Sequence, residues 1–194
     1  MIARLLAAAI FTLTFTLAGC ESKPVFNALD ITGIQGYGSD FRLFDHNGKP
    51  RTLADFRGKA VVLFFGYTYC PDVCPTTLAE MKQVMQILGT DAQRLQVLFI
   101  TVDPARDTPD LLSRYVPSFH PAFLGLYGDN AATEKVAKDF KITYRKAAGK
   151  TPDTYTVDHS AASLVFDPNG NLRLFINYGM GADKIAPDIK KLIQ

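Results

Sequence analysis

Two cysteines are the residues of this chain best suited to metal or redox chemistry. Cys70 and Cys74 flank Pro71-Asp72-Val73 and follow an apolar run that predicts a buried strand. Pro75 favours the first turn of a helix, which makes Cys74 the expected N-cap. A helix N-terminus stabilises a thiolate, so we expect both cysteines to be reactive. Two thiolates one helical turn apart can bind a soft metal ion or form a disulfide.

The spacing of the cysteine pair leaves more than one function open. A permanent disulfide between Cys70 and Cys74 would close so short a loop that it would remove little chain entropy. Tetrahedral structural zinc needs four ligands, and the chain has no second cysteine pair. A redox disulfide and a soft-metal site both remain.

Three histidines are available as further ligands. His46 lies in a predicted turn and His120 precedes Pro121 in a predicted loop, so we interpret both as surface residues. His159 directly precedes a predicted buried strand, where loops at the strand end can converge on the cysteine pair. Its position alone is compatible with either a structural or a functional role.

The residue pattern predicts an α/β domain with a central mixed sheet, helices on both faces and an N-terminal β-hairpin around the turn at 45–48. The other strands are predicted at 60–65, 95–102, 123–127, 161–166 and 172–176. The helices are predicted to start at 75 and to span 108–115, 131–140 and 183–193. In the first helix Met81 and Met85 share a stripe with leucines, which favours packing over copper ligation.

The N-terminal residues predict export. An uncharged apolar run from Leu5 to Leu17 follows Arg4, as in a signal peptide, and it is too short for a spanning helix. The sequence Leu17-Ala18-Gly19-Cys20 resembles a bacterial lipobox, which implies that Cys20 is lipidated and becomes the first mature residue. An ordinary secretory peptide is the alternative.

Three segments follow from this interpretation. We expect a lipoprotein signal peptide at 1–19, a membrane tether at 20–40 and a folded domain at 41–194. The protein would be exported, periplasm-facing and anchored to the lipid membrane through Cys20. In that oxidising space an unprotected dithiol tends to form a disulfide, so something must reduce or ligate Cys70 and Cys74.

The composition is that of an ordinary folded domain. The 194 residues are 47% hydrophobic and 21% charged, which excludes extensive disorder. The formal net charge is only +2, so it gives no electrostatic argument for a nucleic-acid partner.

Three motifs resemble the Sco/SenC family of thioredoxin-fold copper chaperones. They are Gly66-Tyr67-Thr68-Tyr69-Cys70-Pro71-Asp72-Val73-Cys74-Pro75, Val102-Asp103-Pro104-Ala105-Arg106-Asp107-Thr108-Pro109 and Asp158-His159-Ser160. The resemblance runs from about Phe41 to the C-terminus. Two features depart from the family pattern: Tyr69 stands where the family often has His or Phe, and a lipobox replaces the transmembrane helix common elsewhere.

The resemblance implies a thioredoxin-like fold in which Cys70, Cys74 and His159 bind copper as Cu(I) or Cu(II). It implies a metallochaperone that delivers copper to the binuclear centre of a respiratory cytochrome oxidase. The expected partners are the copper-centre subunit of that oxidase and a second periplasmic copper chaperone or a thioredoxin-like reductase. Two thiolates and an imidazole suit copper and discourage hard cations.

Two carboxylates follow a predicted strand next to the cysteine-bearing strand. Asp103 and Asp107 could supply charge around the metal or a docking surface, or they could be ordinary turn and helix-start residues. Asp158 is adjacent to His159, but neighbours on a strand point in opposite directions, so we do not expect Asp158 to hold the imidazole.

The competing hypothesis is a thiol:disulfide oxidoreductase that reduces cysteines of the oxidase or of another exported protein. Such enzymes resemble one another in a Cys-x-x-Cys motif and a cis-proline facing it, whereas this chain has three intervening residues and His159-Ser160 at that place. Both differences favour metal binding over disulfide exchange, so we expect a metallochaperone rather than an enzyme. A peroxidase is disfavoured because Arg106 is the only candidate to support its cysteine.

Overall fold

An eight-stranded mixed sheet forms the centre of the computed structural model, which describes residues 24–149 and 154–194. Its strands are β1 (Leu29–Asp30), β2 (Leu43–Asp45), β3 (Pro50–Arg51), β4 (Ala60–Gly66), β5 (Leu95–Thr101), β6 (Leu124–Tyr127), β9 (Ser163–Phe166) and β10 (Leu172–Ile176). Their order across the sheet is β1-β10-β9-β4-β5-β6-β2-β3. A separate two-stranded antiparallel sheet consists of β7 (Tyr144–Ala147) and β8 (Thr156–His159).

Helices cover both faces of the sheet, as predicted. They are α1 (Val73–Leu88), α2 (Pro109–Phe119), α3 (Asn130–Asp139) and α4 (Ala182–Ile193), with 3-10 helices at Leu53–Phe56 and Gly89–Arg94. Helices α1 and α4 pack against each other on one face. On the other face Phe140, which follows α3, packs against Phe65 and Phe166 with ring centroids about 6 Å apart. The α/β architecture with its N-terminal hairpin β2–β3 is therefore confirmed.

The two central strands explain why the cysteine loop is held firmly. Strands β4 and β5 run parallel in register from Ala60 opposite Leu95 to Gly66 opposite Thr101. All seven residues of each strand are buried, as a parallel pair with both faces covered requires. The loops after Gly66 and Thr101 therefore leave the sheet at the same edge.

Helix α1 begins two residues earlier than the sequence predicts. Asp72 occupies the N-cap position, so Cys74 is the second residue of the helix and the prediction of Cys74 as N-cap is wrong. Pro75 still lies in the first turn, where backbone N–H groups have no helical acceptor. The predicted apolar stripe is confirmed, since Met81 and Met85 are buried in the core.

Part of the segment predicted as a tether is packed onto the domain. Leu29–Asp30 pair with β10 at the edge of the sheet, and Ala28 and Ile31 are buried. The sequence gives little sign of this contact, because the acceptor that holds Asn27 and Ala28 is Asp188, far away in the chain. The expected signal peptide at 1–19 and Cys20 lie outside the described residues.

Strands β7 and β8 are absent from the sequence prediction. Both are only four residues long and half exposed, so they lack the buried run or the clear alternation that marks a strand. Consequently His159 ends a strand of this small sheet, whereas we expected it in a loop before the main sheet. Within the described ranges, no helix is long and apolar enough to cross a membrane.

Candidate metal centre

Three side chains from separate parts of the chain meet at the carboxyl edge of the central strands. Cys70 lies in the loop after β4, Cys74 lies in the first turn of α1, and His159 is the last residue of β8. One ligand atom from each residue can be chosen so that all three lie within 4.8 Å of one another. Both cysteines are free thiols, and Cys74 is fully buried.

The size and chemistry of this cluster suit a soft metal ion. Because the three ligand atoms lie within 4.8 Å of one another, a metal ion placed between them would be no more than about 2.8 Å from each. Metal–sulfur and metal–nitrogen bonds are slightly shorter, at about 2.3 and 2.0 Å. Small side-chain movements therefore bring all three donors to bonding distance. Two sulfurs and one imidazole favour copper-like ions and disfavour hard cations such as Mg²⁺.

The orientation of the His159 ring is set by a backbone carbonyl. Nδ1 of His159 lies 2.9 Å from the carbonyl oxygen of Ser160, which can only accept a hydrogen bond. Nδ1 therefore carries the proton in the neutral ring, and Nε2 directs its lone pair towards Cys74 Sγ at 3.5 Å. The Asp158 carboxylate instead pairs with Arg145 at 3.3 Å, in agreement with our expectation that Asp158 does not hold the ring.

Aromatic side chains enclose the histidine on its apolar sides. The ring centroid of His159 lies 6.2 Å from that of Phe64 and 5.9 Å from that of Tyr67, both in edge-on arrangements. Phe64 and Tyr67 are themselves buried. The imidazole therefore has little freedom to turn away from the thiols.

The two thiols differ strongly in acidity. The neighbouring Cys74 thiol, together with the backbone N–H groups of Asp72 and Cys74, favours the Cys70 thiolate and lowers the pKa of Cys70 to about 4. The same interaction and the burial of Cys74 raise the pKa of that thiol. In the metal-free reduced protein, Cys70 is thus the anionic sulfur and Cys74 keeps its proton. The expectation that both cysteines are reactive is therefore wrong for Cys74, because this buried thiol lies next to the Cys70 thiolate.

Gly66 is required at the end of β4, a constraint that sequence reasoning missed. A Cβ atom at this position would lie 2.6 Å from Cys74 Sγ and 2.8 Å from the ring of Phe99. Only a residue without a side chain leaves room for the Cys74 sulfur. The glycine directly after a buried apolar run was the available signal.

Asp107 fixes the loop that leads to Cys70. Its carboxylate accepts hydrogen bonds from the backbone N–H of Thr68 at 3.0 Å and from the hydroxyls of Thr68 and Thr101, each at 2.6 Å. Burial raises the pKa of Asp107, although these hydrogen bonds oppose that shift. The side chain is 1% exposed, which argues against the docking role considered for it above and favours a role in positioning the loop.

Asp103 belongs to a second contact network, between the cysteine loop and the strand that carries His159. Its carboxylate accepts from Arg106 Nε at 2.5 Å and from the Tyr155 hydroxyl at 2.7 Å. Arg106 also donates to the Tyr155 carbonyl and stacks 3.6 Å from the Tyr155 ring centroid, with Tyr69 at 4.9 Å. Because Asp103 is fully buried, it contributes charge inside this network rather than a docking surface.

The other two histidines have local structural contacts. Nδ1 of His46 accepts from the backbone N–H of Gly125 at 3.0 Å, and Nδ1 of His120 accepts from Ala122 N–H at 3.2 Å. Among the described residues, Cys70, Cys74 and His159 are the one group of metal-ligand type that clusters in this way.

Comparison with known proteins finds relatives whose sequences align with most of this chain. The chain is 38% identical over 156 residues to the mouse protein described as "Protein SCO2 homolog, mitochondrial", covering 79% of this chain and 61% of that protein. It therefore spans about three fifths of the length of the curated relatives that it matches.

Solved structures match the fold as well as the sequence. A copper-bound structure of Bradyrhizobium japonicum ScoI is 40% identical, has a TM-score of 0.75 and covers 80% of this chain and 99% of its own. A copper-bound structure of yeast Sco1 is 31% identical, has a TM-score of 0.73 and covers 80% of this chain and 87% of its own. The fold is therefore the thioredoxin-like fold expected above. Since the SCO1/SenC family model also matches residues 30–194, this chain belongs to the SCO1/SenC family.

Proposed function

We propose that this protein is a copper metallochaperone that binds one copper ion through Cys70, Cys74 and His159 and delivers it to a respiratory cytochrome oxidase during assembly. The observation that carries the proposal is the convergence of the two sulfurs and the imidazole within 4.8 Å. The copper-bound relatives in the same family support the choice of metal.

The donor set suits an ion that must be held and then released. Two thiolates and one imidazole can hold Cu(I) in three-coordination, and the nitrogen donor also makes Cu(II) acceptable. Cys70 is partly exposed, whereas Cys74 is buried, so a partner can approach the copper from the Cys70 side. We infer that copper is cargo here and that its recipient is the subunit carrying the binuclear copper centre.

We also propose that the protein is exported, faces the periplasm and is anchored through a lipid on Cys20. The apolar run at 5–17 and the lipobox-like sequence ending at Cys20 support this location. A second periplasmic copper chaperone would load the site, or a thioredoxin-like reductase would keep Cys70 and Cys74 reduced, because a disulfide sulfur is not a thiolate ligand.

A second function is supported by the acidity of the thiols. A pKa of about 4 at Cys70 makes that sulfur a nucleophile at neutral pH, as thiol:disulfide exchange requires. The alternative is therefore a reductase that acts on the cysteines of the oxidase or of another exported protein.

The histidine distinguishes these two functions. We expect His159→Ala to impair assembly of the oxidase copper centre nearly as severely as Cys70→Ser or Cys74→Ser in cells depleted of copper, with partial recovery when copper is added. A reductase needs its two thiols but no imidazole ligand, so a near-normal oxidase in the His159→Ala strain would favour reduction over copper delivery. His120→Ala is the matched control, since His120 makes only a local contact.

A further inference from the structure

The chain enters the domain at the end of the sheet opposite the metal centre. Pro24 lies beside the turn at 167–169 and the last residues of α4. That turn is at the amino end of β4, because the backbone N–H of Gly58 donates to the carbonyl of Pro168. The cysteines follow the carboxyl end of β4, and seven residues at about 3.3 Å each separate the two ends by about 20 Å.

Residues 25–31 are attached to the domain and so do not form a free tether. The Asp188 carboxylate accepts from the backbone N–H groups of Asn27 and Ala28, both at 2.8 Å, and is 1% exposed. Lys191 Nζ donates to the carbonyl of Val25 at 2.6 Å. Only five peptide units separate Cys20 from Val25, so this connection reaches about 18 Å at most.

Cations without an ion-pair partner lie at the same end of the domain as Pro24. Arg57 and Lys59 precede β4 and Arg94 precedes β5, and we call these three residues the lower face. None of the three forms an ion pair with a described residue. Three nearby carboxylates are already paired: Asp91 with Lys190, Asp167 with Arg173 and Asp188 with Lys191. The exposed Asp55, two residues before Arg57, accepts hydrogen bonds from Thr52 and offsets one of the three cations. These residues leave a surplus of positive charge at that end.

We propose that the lower face rests on an anionic lipid surface and directs the metal centre away from the membrane. The proposal depends on the lipid anchor at Cys20 proposed above. A connection of at most about 18 Å holds the lower face near the headgroups, where each Lys or Arg strengthens contact with anionic lipid about fivefold. The metal centre then stands roughly 20 to 40 Å above the bilayer surface.

The test uses the full chain purified from membranes, with intact mass used to determine whether Cys20 carries lipid. The protein is reconstituted into vesicles of phosphatidylcholine alone or with phosphatidylglycerol, and amide hydrogen exchange is measured. We expect slower exchange at 57–59 and 169–170 in the anionic vesicles, reversed by high salt. The Arg57→Gln, Lys59→Gln, Arg94→Gln triple variant should lose this protection.

A control with the same change of charge completes the design. The control is a triple variant that alters exposed cations of α1, α2 and α3, and it should retain the protection. Its substitutions are Lys82→Gln, Arg114→Gln and Lys138→Gln. Equal exchange in both vesicle types, or protection at 67–74 instead, would overturn the proposed orientation. An unlipidated Cys20 would contradict the anchor and this inference together, whereas a lipidated chain without lipid-dependent protection would contradict this inference alone. Copper binding is measured separately and is unaffected by either outcome.

Discussion

The carboxylate of Asp107 lies 2.6 Å from the hydroxyl of Thr68 and 3.0 Å from its backbone nitrogen. The same carboxylate lies 2.6 Å from the hydroxyl of Thr101, the last residue of β5. One buried side chain therefore joins the end of β5 to the loop that carries Cys70. The position of the first thiol depends on this contact as well as on β4.

Replacing Asp107 by alanine should weaken both the fold and the metal site. The change leaves the Thr68 N–H and two hydroxyl groups without their acceptor, which we expect to lower the free energy of unfolding by about 2–3 kcal/mol. Copper affinity should fall as well, because the Cys70 loop is released from β5. Urea unfolding and copper titration measure the two effects. Asp110→Ala, which removes an exposed ion pair with Arg114, should change neither appreciably.

The acidity of Cys70 should be visible in its alkylation rate. With a pKa of about 4, Cys70 is already a thiolate at pH 6, so its rate with iodoacetamide should change little between pH 6 and 8. An ordinary thiol loses about tenfold in rate for each pH unit below its pKa. Mass spectrometry of the metal-free reduced protein follows each cysteine separately, and Cys74 should react far more slowly.

A variant without the neighbouring thiol tests the cause of that acidity. Cys74→Ala removes the neighbouring thiol that contributes most to the low pKa of Cys70, so this pKa should rise and the alkylation of Cys70 should become strongly pH-dependent. A flat profile in the variant would show that Cys74 does not stabilise the thiolate. A steep profile in the unaltered protein would contradict the assignment of Cys70 as the anionic sulfur.

Gly66→Ala should disturb the site through steric contact. The added methyl group would meet Cys74 Sγ at 2.6 Å and the Phe99 ring at 2.8 Å, so sulfur or backbone must move. Overpacking of this kind costs about 1–3 kcal/mol. We expect lower thermal stability and weaker copper binding. Gly125→Ala, whose methyl group would meet its nearest neighbours at 3.2 Å, should be milder, and equal effects of the two changes would argue against close packing at Cys74.

Arg106 should influence His159 through Tyr155. It stacks 3.6 Å from the Tyr155 ring and donates to the Tyr155 carbonyl, directly before β8. We expect Arg106→Leu to weaken Cu(II) binding more than Cu(I) binding and to alter the Cu(II) absorption spectrum, because Cu(II) depends more on the nitrogen donor. Arg106→Lys should restore little, since lysine lacks the planar group that stacks. Arg114→Leu is the control, and a similar loss for both oxidation states in Arg106→Leu would indicate general destabilisation.

The sequence was sufficient to predict the main elements of the fold and the three candidate ligands. Long buried runs such as Ala60–Gly66 and the stripe of α1 carry strong local patterns, so their strands and helix were predicted closely. The cysteine spacing predicted metal or redox chemistry at Cys70 and Cys74, and the family resemblance implied that His159 joins them in one site. Their geometric convergence agrees with that prediction.

What the sequence could not reveal depends on contacts between distant residues. Asp188 holds Asn27 and Ala28 across 160 positions or more, and no local pattern marks such a contact. The carbonyl of Ser160 orients His159, but a backbone acceptor has no sequence signature. Sequence reasoning also left open whether Asp103 and Asp107 lie on the surface, since only the tertiary structure shows that both are buried.

Copper stoichiometry with the thiols reduced and then oxidised tests the central claim most directly. We predict that the reduced protein, prepared without metal, binds one copper ion per chain and that complete oxidation of Cys70 and Cys74 to a disulfide abolishes this binding, because the thiolates are the proposed ligands. Absorption spectroscopy and metal analysis of the same samples give both quantities. Undiminished copper binding after verified oxidation would contradict the assignment of the site.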